Sequence, residues 1–213
     1  GLRIDHEWCE FARKYSNINI NGDIRMFDPI MSYLKFNLKS MKINCLQIPL
    51  NNLQDLLVET PNLKTLNIKC WVTMRFSLQY IIEKYKIKSY NFDECLDIYR
   101  KNCSFPKLHL EKLTINCFSI IHVLDIFDIF KFCCIKSFYF SIKTNEISSD
   151  NYDTFKRFLL SQHKLKELVF DFHSTVTGIF TNNDISICNF QLVKLSLGHI
   201  KFDDTELKNV VMF

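Results

Sequence analysis

The sequence predicts an α/β fold in which strands and helices alternate and stack into a solenoid, with a parallel sheet inside and helices outside. Apolar residues recur at relative positions 1, 4 and 6 of a unit of about 25 residues. Each unit then continues with apolar residues at helical spacing. Gly and Pro number only four each in 213 residues, so turn residues are too few for a hairpin-rich β fold.

Eight segments carry the repeated pattern. Positions 4 and 6 are apolar and positions 5 and 7 are mostly polar, which is typical of a short half-buried strand. A unit of one strand and one helix buries its apolar side only against its neighbours, so the units are expected to stack. The segments start at residues 15, 38, 63, 87, 110, 135, 165 and 192, and they read YSNINI, LKSMKI, LKTLNI, IKSYNF, LEKLTI, IKSFYF, LKELVF and LVKLSL.

Helical spacing follows the strand pattern in the clearest units. After Ile43 it is carried by Leu50, Leu53, Leu56 and Leu57, with Asn51-Asn52 expected before the helix and Thr60-Pro61 after it. After Ile115 it runs from Ile121 to Phe130. Two longer polar spacers, 144–153 and 174–186, are expected to be surface loops inserted on one face.

The series resembles the leucine-rich repeat family, whose pattern is L-x-x-L-x-L-x-x-N/C, across nearly the whole chain. The resemblance implies a horseshoe of about eight repeats over residues 15–213, truncated at the C-terminus. One departure concerns the cysteine that follows the strand, which stands at position 8 in Cys45, Cys70 and Cys117. Position 8 shares the parity of positions 4 and 6, so these thiols are expected to extend the inward row.

Residues 1–14 do not fit the repeat. Ile4, Trp8, Phe11 and Ala12 share one helical face, which predicts a helix that caps the first repeat. The same stretch resembles the last helix of an F-box. That resemblance implies the substrate-binding part of an F-box/leucine-rich-repeat protein, which joins a Skp-type adaptor and a cullin through an F-box upstream of Gly1. An ordinary capping helix remains the alternative.

Composition favours a cytoplasmic or nuclear protein. Nine cysteines form an odd set that sits mostly in apolar patterns, which is typical of reduced thiols and not of a disulfide framework. The charged start predicts no signal peptide. The most apolar window, 117–140, contains Asp125, Asp128 and Lys131, so no membrane span is expected.

The polar strand positions are expected to face the concave surface and to bind a protein partner. They are sparsely charged and include one aromatic ring, which suits a protein interface, whereas a merely solvated sheet face is the alternative. The candidate residues are Lys42, Asn44, Asn67, Lys69, Asn91, Asp93, Asn116, Tyr139 and Asp171.

A lysine at position 2 or 3 of every clear repeat predicts a basic rim where the strands begin. Ordinary surface solvation is the favoured interpretation, and an acidic partner or phosphate groups are the alternative. A net charge of +4 is too small to indicate nucleic-acid binding by itself. The rim residues are Lys39, Lys64, Lys88, Lys112, Lys136, Lys166 and Lys194.

Catalytic and metal-binding motifs are missing from the sequence. The glycines are scattered singly, no G-x-S-x-G or H-E-x-x-H occurs, and the pairs His6/Cys9 and Cys103/His109 lack zinc-finger spacing. We therefore expect no enzyme, no cofactor and no metal. The expected function is protein binding, as the substrate-recognition part of an F-box-type ubiquitin ligase receptor. A general leucine-rich-repeat scaffold and an RNA- or phosphate-binding solenoid are the alternatives, and either the concave face or the two long loops could bind.

Overall fold

In the described part of the chain, seven strands form one parallel sheet and follow one another across it in chain order. The computed structural model describes residues 16–22, 37–74, 86, 107–118, 124–143, 149–176 and 192–200. This confirms the predicted α/β class and the parallel sheet. The strands are β1 (Asn17–Asn21), β2 (Ser40–Pro49), β3 (Thr65–Met74), β4 (His109–Cys117), β5 (Cys134–Ile142), β6 (Glu167–Val176) and β7 (Lys194–Ile200).

Positions 4 and 6 of the predicted segments form two continuous apolar rows across the sheet. On β2 to β6 every member of both rows is at most 1% exposed, which confirms the predicted burial of Met41, Leu66, Leu113 and Leu168. The first row is Ile18, Met41, Leu66, Leu113, Phe138, Leu168 and Leu195, and the second is Ile20, Ile43, Ile68, Ile115, Phe140, Phe170 and Leu197.

One junction of the described sheet joins strands that are two units apart in the sequence pattern. Strand β3 pairs directly with β4, and Leu66 stands opposite Leu113. Residues 87–92 fall outside the described residues. The pairing therefore spans two units of the sequence pattern at this one junction.

Three helices connect strands in the described part of the chain: α1 (Leu50–Glu59), α2 (Leu124–Phe130) and α3 (Ser149–Leu160). The predicted helix after Ile43 is confirmed as α1, although it begins at Leu50, so Asn51 and Asn52 lie in its first turn. It ends where Thr60 Oγ1 donates to the Leu56 carbonyl oxygen at 3.0 Å, just before a proline that cannot continue the helix.

The two long spacers are shorter than the sequence predicted. Residues 149–153 open helix α3, so the prediction of a loop over 144–153 is wrong from Ser149 onward. Ser and Asp, which stand at 149 and 150, are residue types favoured at helix starts as well as in loops. Strand β6 extends to Val176, which shortens the second spacer in the same way. Residues 144–148 and 177–191 lie outside the described part.

The core lies between the apolar rows and the helices. Phe127 of α2 contacts Phe140 of β5 with ring centroids 5.4 Å apart, and it contacts Phe155 and Phe158 of α3 at 5.1 and 4.9 Å. Both helices therefore cover the apolar side of the sheet. The opposite side of the sheet carries positions 5 and 7, which are mostly polar.

Candidate binding surface on the polar face

Positions 5 and 7 of the units form two rows on the side of the sheet that faces away from α2 and α3. We call this surface the polar face. Successive strand residues point to opposite sides, so burial of positions 4 and 6 places positions 5 and 7 here. The rows are Asn19, Lys42, Asn67, Thr114, Tyr139, Val169 and Ser196, and Asn21, Asn44, Lys69, Asn116, Ser141, Asp171 and Gly198.

A concavity of about 470 Å³ opens on the polar face, and we call it the polar-face pocket. It brings together six of the predicted binding residues, contributed by strands β2 to β6. These six are Lys42, Asn67, Lys69, Asn116, Tyr139 and Asp171. Its other lining residues are Cys70, Cys117, Phe118, Ser141 and Lys143. The predicted residues therefore make up six of the eleven residues that line this depression.

The remaining predicted residues of this surface do not line the pocket. Asn44 on β2 is the neighbour of Lys69 in the position 7 row. Its Nδ2 donates to Asn21 Oδ1 at 3.3 Å. Asn91 and Asp93 fall outside the described residues. Asn44 is thus engaged with the first strand, away from the central depression.

Tyr139 and Asp171 form a fixed polar pair at one end of the pocket. The Tyr139 hydroxyl donates to Asp171 Oδ2 at 2.9 Å. Burial, followed by the hydrogen bond and the charge of Asp171, raises the pKa of the Tyr139 phenol above its ordinary value. The phenol therefore stays neutral near pH 7 and acts as a donor that holds Asp171, not as a base.

The charged groups that line the pocket are predominantly cationic. Lys42, Lys69 and Lys143 are exposed, and Asp171 is the single carboxylate among the lining residues. In the described part of the chain no hydrogen bond or ion pair involves the ammonium group of these three lysines. Such a set attracts anionic groups to the pocket.

The cysteines that border the pocket are packing groups. Cys45, Cys70 and Cys117 stand in register on β2, β3 and β4 and are at most 7% exposed, as predicted for position 8. Burial raises the pKa of the Cys70 thiol to about 12, and it raises that of Cys117 as well. Thiols held in the protonated form are weak nucleophiles.

Metal ligands do not converge in the part of the chain that the structure describes. No group of three or more His, Cys, Asp or Glu residues there could hold a metal ion. His109 is exposed on β4, whereas His6, Cys9 and Cys103 fall outside the described residues.

The predicted basic rim is interrupted at its centre. Lys39, Lys64, Lys112, Lys136, Lys166 and Lys194 are all exposed, and Lys88 lies outside the described residues. Glu111 stands at position 2 of its unit, where the units on either side of it in the sheet carry Lys64 and Lys136. Lys64 Nζ lies 2.9 Å from Glu111 Oε1. The hydrogen bond and charge of Lys64 lower the pKa of Glu111. A carboxylate within the rim weakens the field that phosphates would meet.

Sequence reasoning missed Phe118 and Lys143 as parts of the pocket. Both follow directly on strands, and the Lys143 amide donates to the carbonyl oxygens of Cys117 and Phe118 at 3.3 and 3.2 Å. Phe118 keeps 39% of its surface exposed. Both residues stand at position 9, so extending the odd-numbered series by one step beyond position 7 would have found them.

No protein-family model, no curated protein and no solved structure matches the chain. Among the described helices, none has both the length and the apolar character needed to cross a membrane.

Proposed function

We propose that the chain is a protein-binding module, a leucine-rich-repeat solenoid that presents its polar face to another protein. The pocket on that face is the observation that carries the proposal, because five strands contribute polar side chains and an exposed ring to one depression. Aromatic side chains beside hydrogen-bonding groups are characteristic of protein interfaces. The in-register rows and the helices on one side support the solenoid form.

The polar face suits a macromolecular partner in size and rigidity. Seven strands at about 4.8 Å spacing span roughly 29 Å, which is wide enough for a standard interface of about 800 Å² per partner. The backbone of a sheet is held in place before binding, so little backbone entropy is lost when a partner docks. These properties favour binding over the alternative of a merely solvated face.

The narrower proposal, a substrate receptor of a ubiquitin ligase, depends on residues 1–14, which lie outside the described part. It stays a prediction. Co-purification of the full-length protein with a Skp-type adaptor and a cullin would support it, and a different domain upstream of Gly1 would contradict it. A general scaffold is the alternative under the same binding proposal. An RNA- or phosphate-binding rim is less favoured because of the Glu111 carboxylate.

Site-specific photo-crosslinking tests the proposal. A benzophenone amino acid replaces Thr114 in the middle of the polar face, and in the matched control it replaces Arg157, which is exposed on α3. We expect the Thr114 variant to form protein adducts in an extract of the cells that express the protein, and the unmodified chain to compete for them. Failure to form adducts at Thr114, or equal adducts at both positions, would contradict the proposal.

A further inference from the structure

The polar-face pocket combines cations with an unpaired acceptor, and together these define the chemistry of a partner. Lys69 on β3 stands opposite Asn116 on β4, and Lys143 is held beside Phe118 by its backbone hydrogen bond. The two lysines thus flank the end of β4 from either side, roughly 10–12 Å apart at the backbone. Long, flexible ammonium side chains at this spacing can share an anionic group placed between them.

Asn67 supplies the second observation. Its Oδ1 is buried and has no hydrogen-bond partner within the described residues, although Asn67 lines the pocket between Lys42 and Lys69. An unsatisfied buried acceptor destabilises the folded state. The oxygen has less than 1 Å² of accessible surface, so a ligand N–H group reaches it when the Asn67 side chain turns toward the pocket, and the new hydrogen bond removes that destabilisation.

Phe118 adds an apolar contact at the same place. Its ring is partly exposed at the end of β4 and lines the pocket next to Lys143. Asp171 accepts the hydroxyl hydrogen bond of Tyr139 at the other end of the pocket. The pocket therefore complements a ligand that carries an anionic group, an N–H donor and an apolar group close together.

We propose that the polar-face pocket binds an acidic segment of the partner protein, one in which carboxylate and apolar side chains alternate. A carboxylate of the segment lies between Lys69 and Lys143, a backbone N–H donates to Asn67 Oδ1, and an apolar side chain packs on Phe118. This inference rests on the proposed function, because it names the partner chemistry of the same surface.

An extended peptide fits these groups better than a phosphate chain does. A peptide carries a backbone N–H donor at almost every residue, next to side chains that can be carboxylates. A phosphate group at neutral pH offers chiefly acceptors, so it would satisfy the lysines and leave Asn67 Oδ1 unpaired. The unpaired acceptor is what separates the two classes of partner.

Fluorescence anisotropy with a short labelled peptide of alternating Glu and Leu tests the proposal, alongside the matching Gln/Leu peptide. We expect the Glu peptide to bind and the Gln peptide to bind at least about tenfold more weakly. The Lys69→Glu/Lys143→Glu variant should lose about tenfold or more of the Glu-peptide affinity. Its matched control, Lys166→Glu/Lys194→Glu, has the same change in net charge outside the pocket and should stay within about twofold.

Asn67→Ala separates the acceptor from the charges. It should weaken the Glu peptide several-fold without reducing the unfolding midpoint, because it removes an unpaired atom and no folded-state hydrogen bond of the described residues. Equal binding of both peptides, equal losses in the two lysine variants, or tighter binding of an oligo(U) RNA that Lys69→Glu/Lys143→Glu abolishes would each overturn the acidic-segment proposal.

The two proposals fail in different ways. If the Thr114 crosslinker captures a protein but the adduct survives Lys69→Glu/Lys143→Glu, the polar face binds a partner and the acidic-segment inference is wrong. If no protein is captured at Thr114, the proposed function is wrong, whatever the peptides do.

Discussion

Strands β2 to β4 and strands β5 and β6 share one register but fill it with different side chains. The second apolar row holds isoleucine on β2, β3 and β4 and phenylalanine on β5 and β6. These residues are Ile43, Ile68, Ile115, Phe140 and Phe170. The position 8 row changes at the same place, from the small side chains of Cys45, Cys70 and Cys117 to the larger ones of Ile142 and Phe172. We call these the aliphatic and the phenylalanine regions.

The helices, and not the register of the sheet, accommodate the difference in side-chain volume between the two regions. In the phenylalanine region, Phe127 of α2 meets Phe138 and Phe140 edge to face, with interplanar angles of 88° and 80°. In the aliphatic region α1 buries only leucines among its large apolar side chains. The alternation of apolar and polar residues thus determines the register of the strands. The volume of the buried strand side chains determines which helical side chains can pack against them.

Truncating the helical side chain in each region gives the largest expected effect. We expect Phe127→Ala to lower the free energy of unfolding by about 4–5 kcal/mol and Leu57→Ala by about 3 kcal/mol. Both side chains are fully buried, but Phe127 also loses ring contacts worth about 0.5–1.5 kcal/mol. Urea titration of both variants measures the difference. A larger loss for Leu57→Ala would mean that the phenylalanine region is the more weakly packed of the two.

Buried polar residues after α1 and α3 give the next comparison. Thr60 and Gln162 stand at equivalent places, because Leu63 N donates to the Thr60 carbonyl and Leu165 N to that of Gln162, both at 3.1 Å. Gln162 Oε1 also accepts from Ile135 N at 3.2 Å.

We therefore expect Gln162→Leu to cost about 2 kcal/mol and Thr60→Val about 1 kcal/mol in thermal or urea unfolding. Gln162→Leu orphans a buried backbone amide, whereas Thr60→Val removes a donor from helical carbonyls. Equal costs would show that the Gln162 side chain does not tie α3 to the start of β5.

Titration of the thiol row gives an effect that appears only at alkaline pH. Burial raises the pKa of Cys70 from 9.0 to about 12, so the folded protein keeps a proton that the unfolded chain releases. The stabilisation is full below about pH 9 and is lost as the pH rises toward 12. The Cys70 thiol contributes a slope of about 1.4 kcal/mol per pH unit in that window.

We expect Cys70→Ala to reduce the fall of the unfolding free energy with pH by about the contribution of one thiol. The measurement is the unfolding free energy between about pH 8 and about pH 10. Ser141→Ala, which changes no thiol, serves as the control. An unchanged slope in Cys70→Ala would show that the row is not protected from ionisation.

The sequence predicted the rows, the parallel sheet and six residues of the pocket because all of these follow from alternation at a fixed period. It missed Phe118 and Lys143 because the polar series was followed only to position 7, whereas both residues stand at position 9. That these two strand ends come together is set by the backbone pairing of β4 with β5, which alternation within one segment does not specify. The segment at Ile87 lies outside the described residues, so its strand stays a prediction.

The junction of β3 with β4 has a consequence for how the sheet assembles. Paired residues are 47 positions apart there, as in Lys64 and Glu111, but only 23 apart between β1 and β2, as in Asn21 and Asn44. Closing a loop of twice the length costs about 0.6 kcal/mol more in chain entropy. In chain entropy alone, this is the most costly pairing of neighbouring strands in the described sheet. Since Lys42, Asn67 and Lys69 lie on one side of that junction and Asn116, Tyr139 and Asp171 on the other, the polar-face pocket forms only when that pairing is complete.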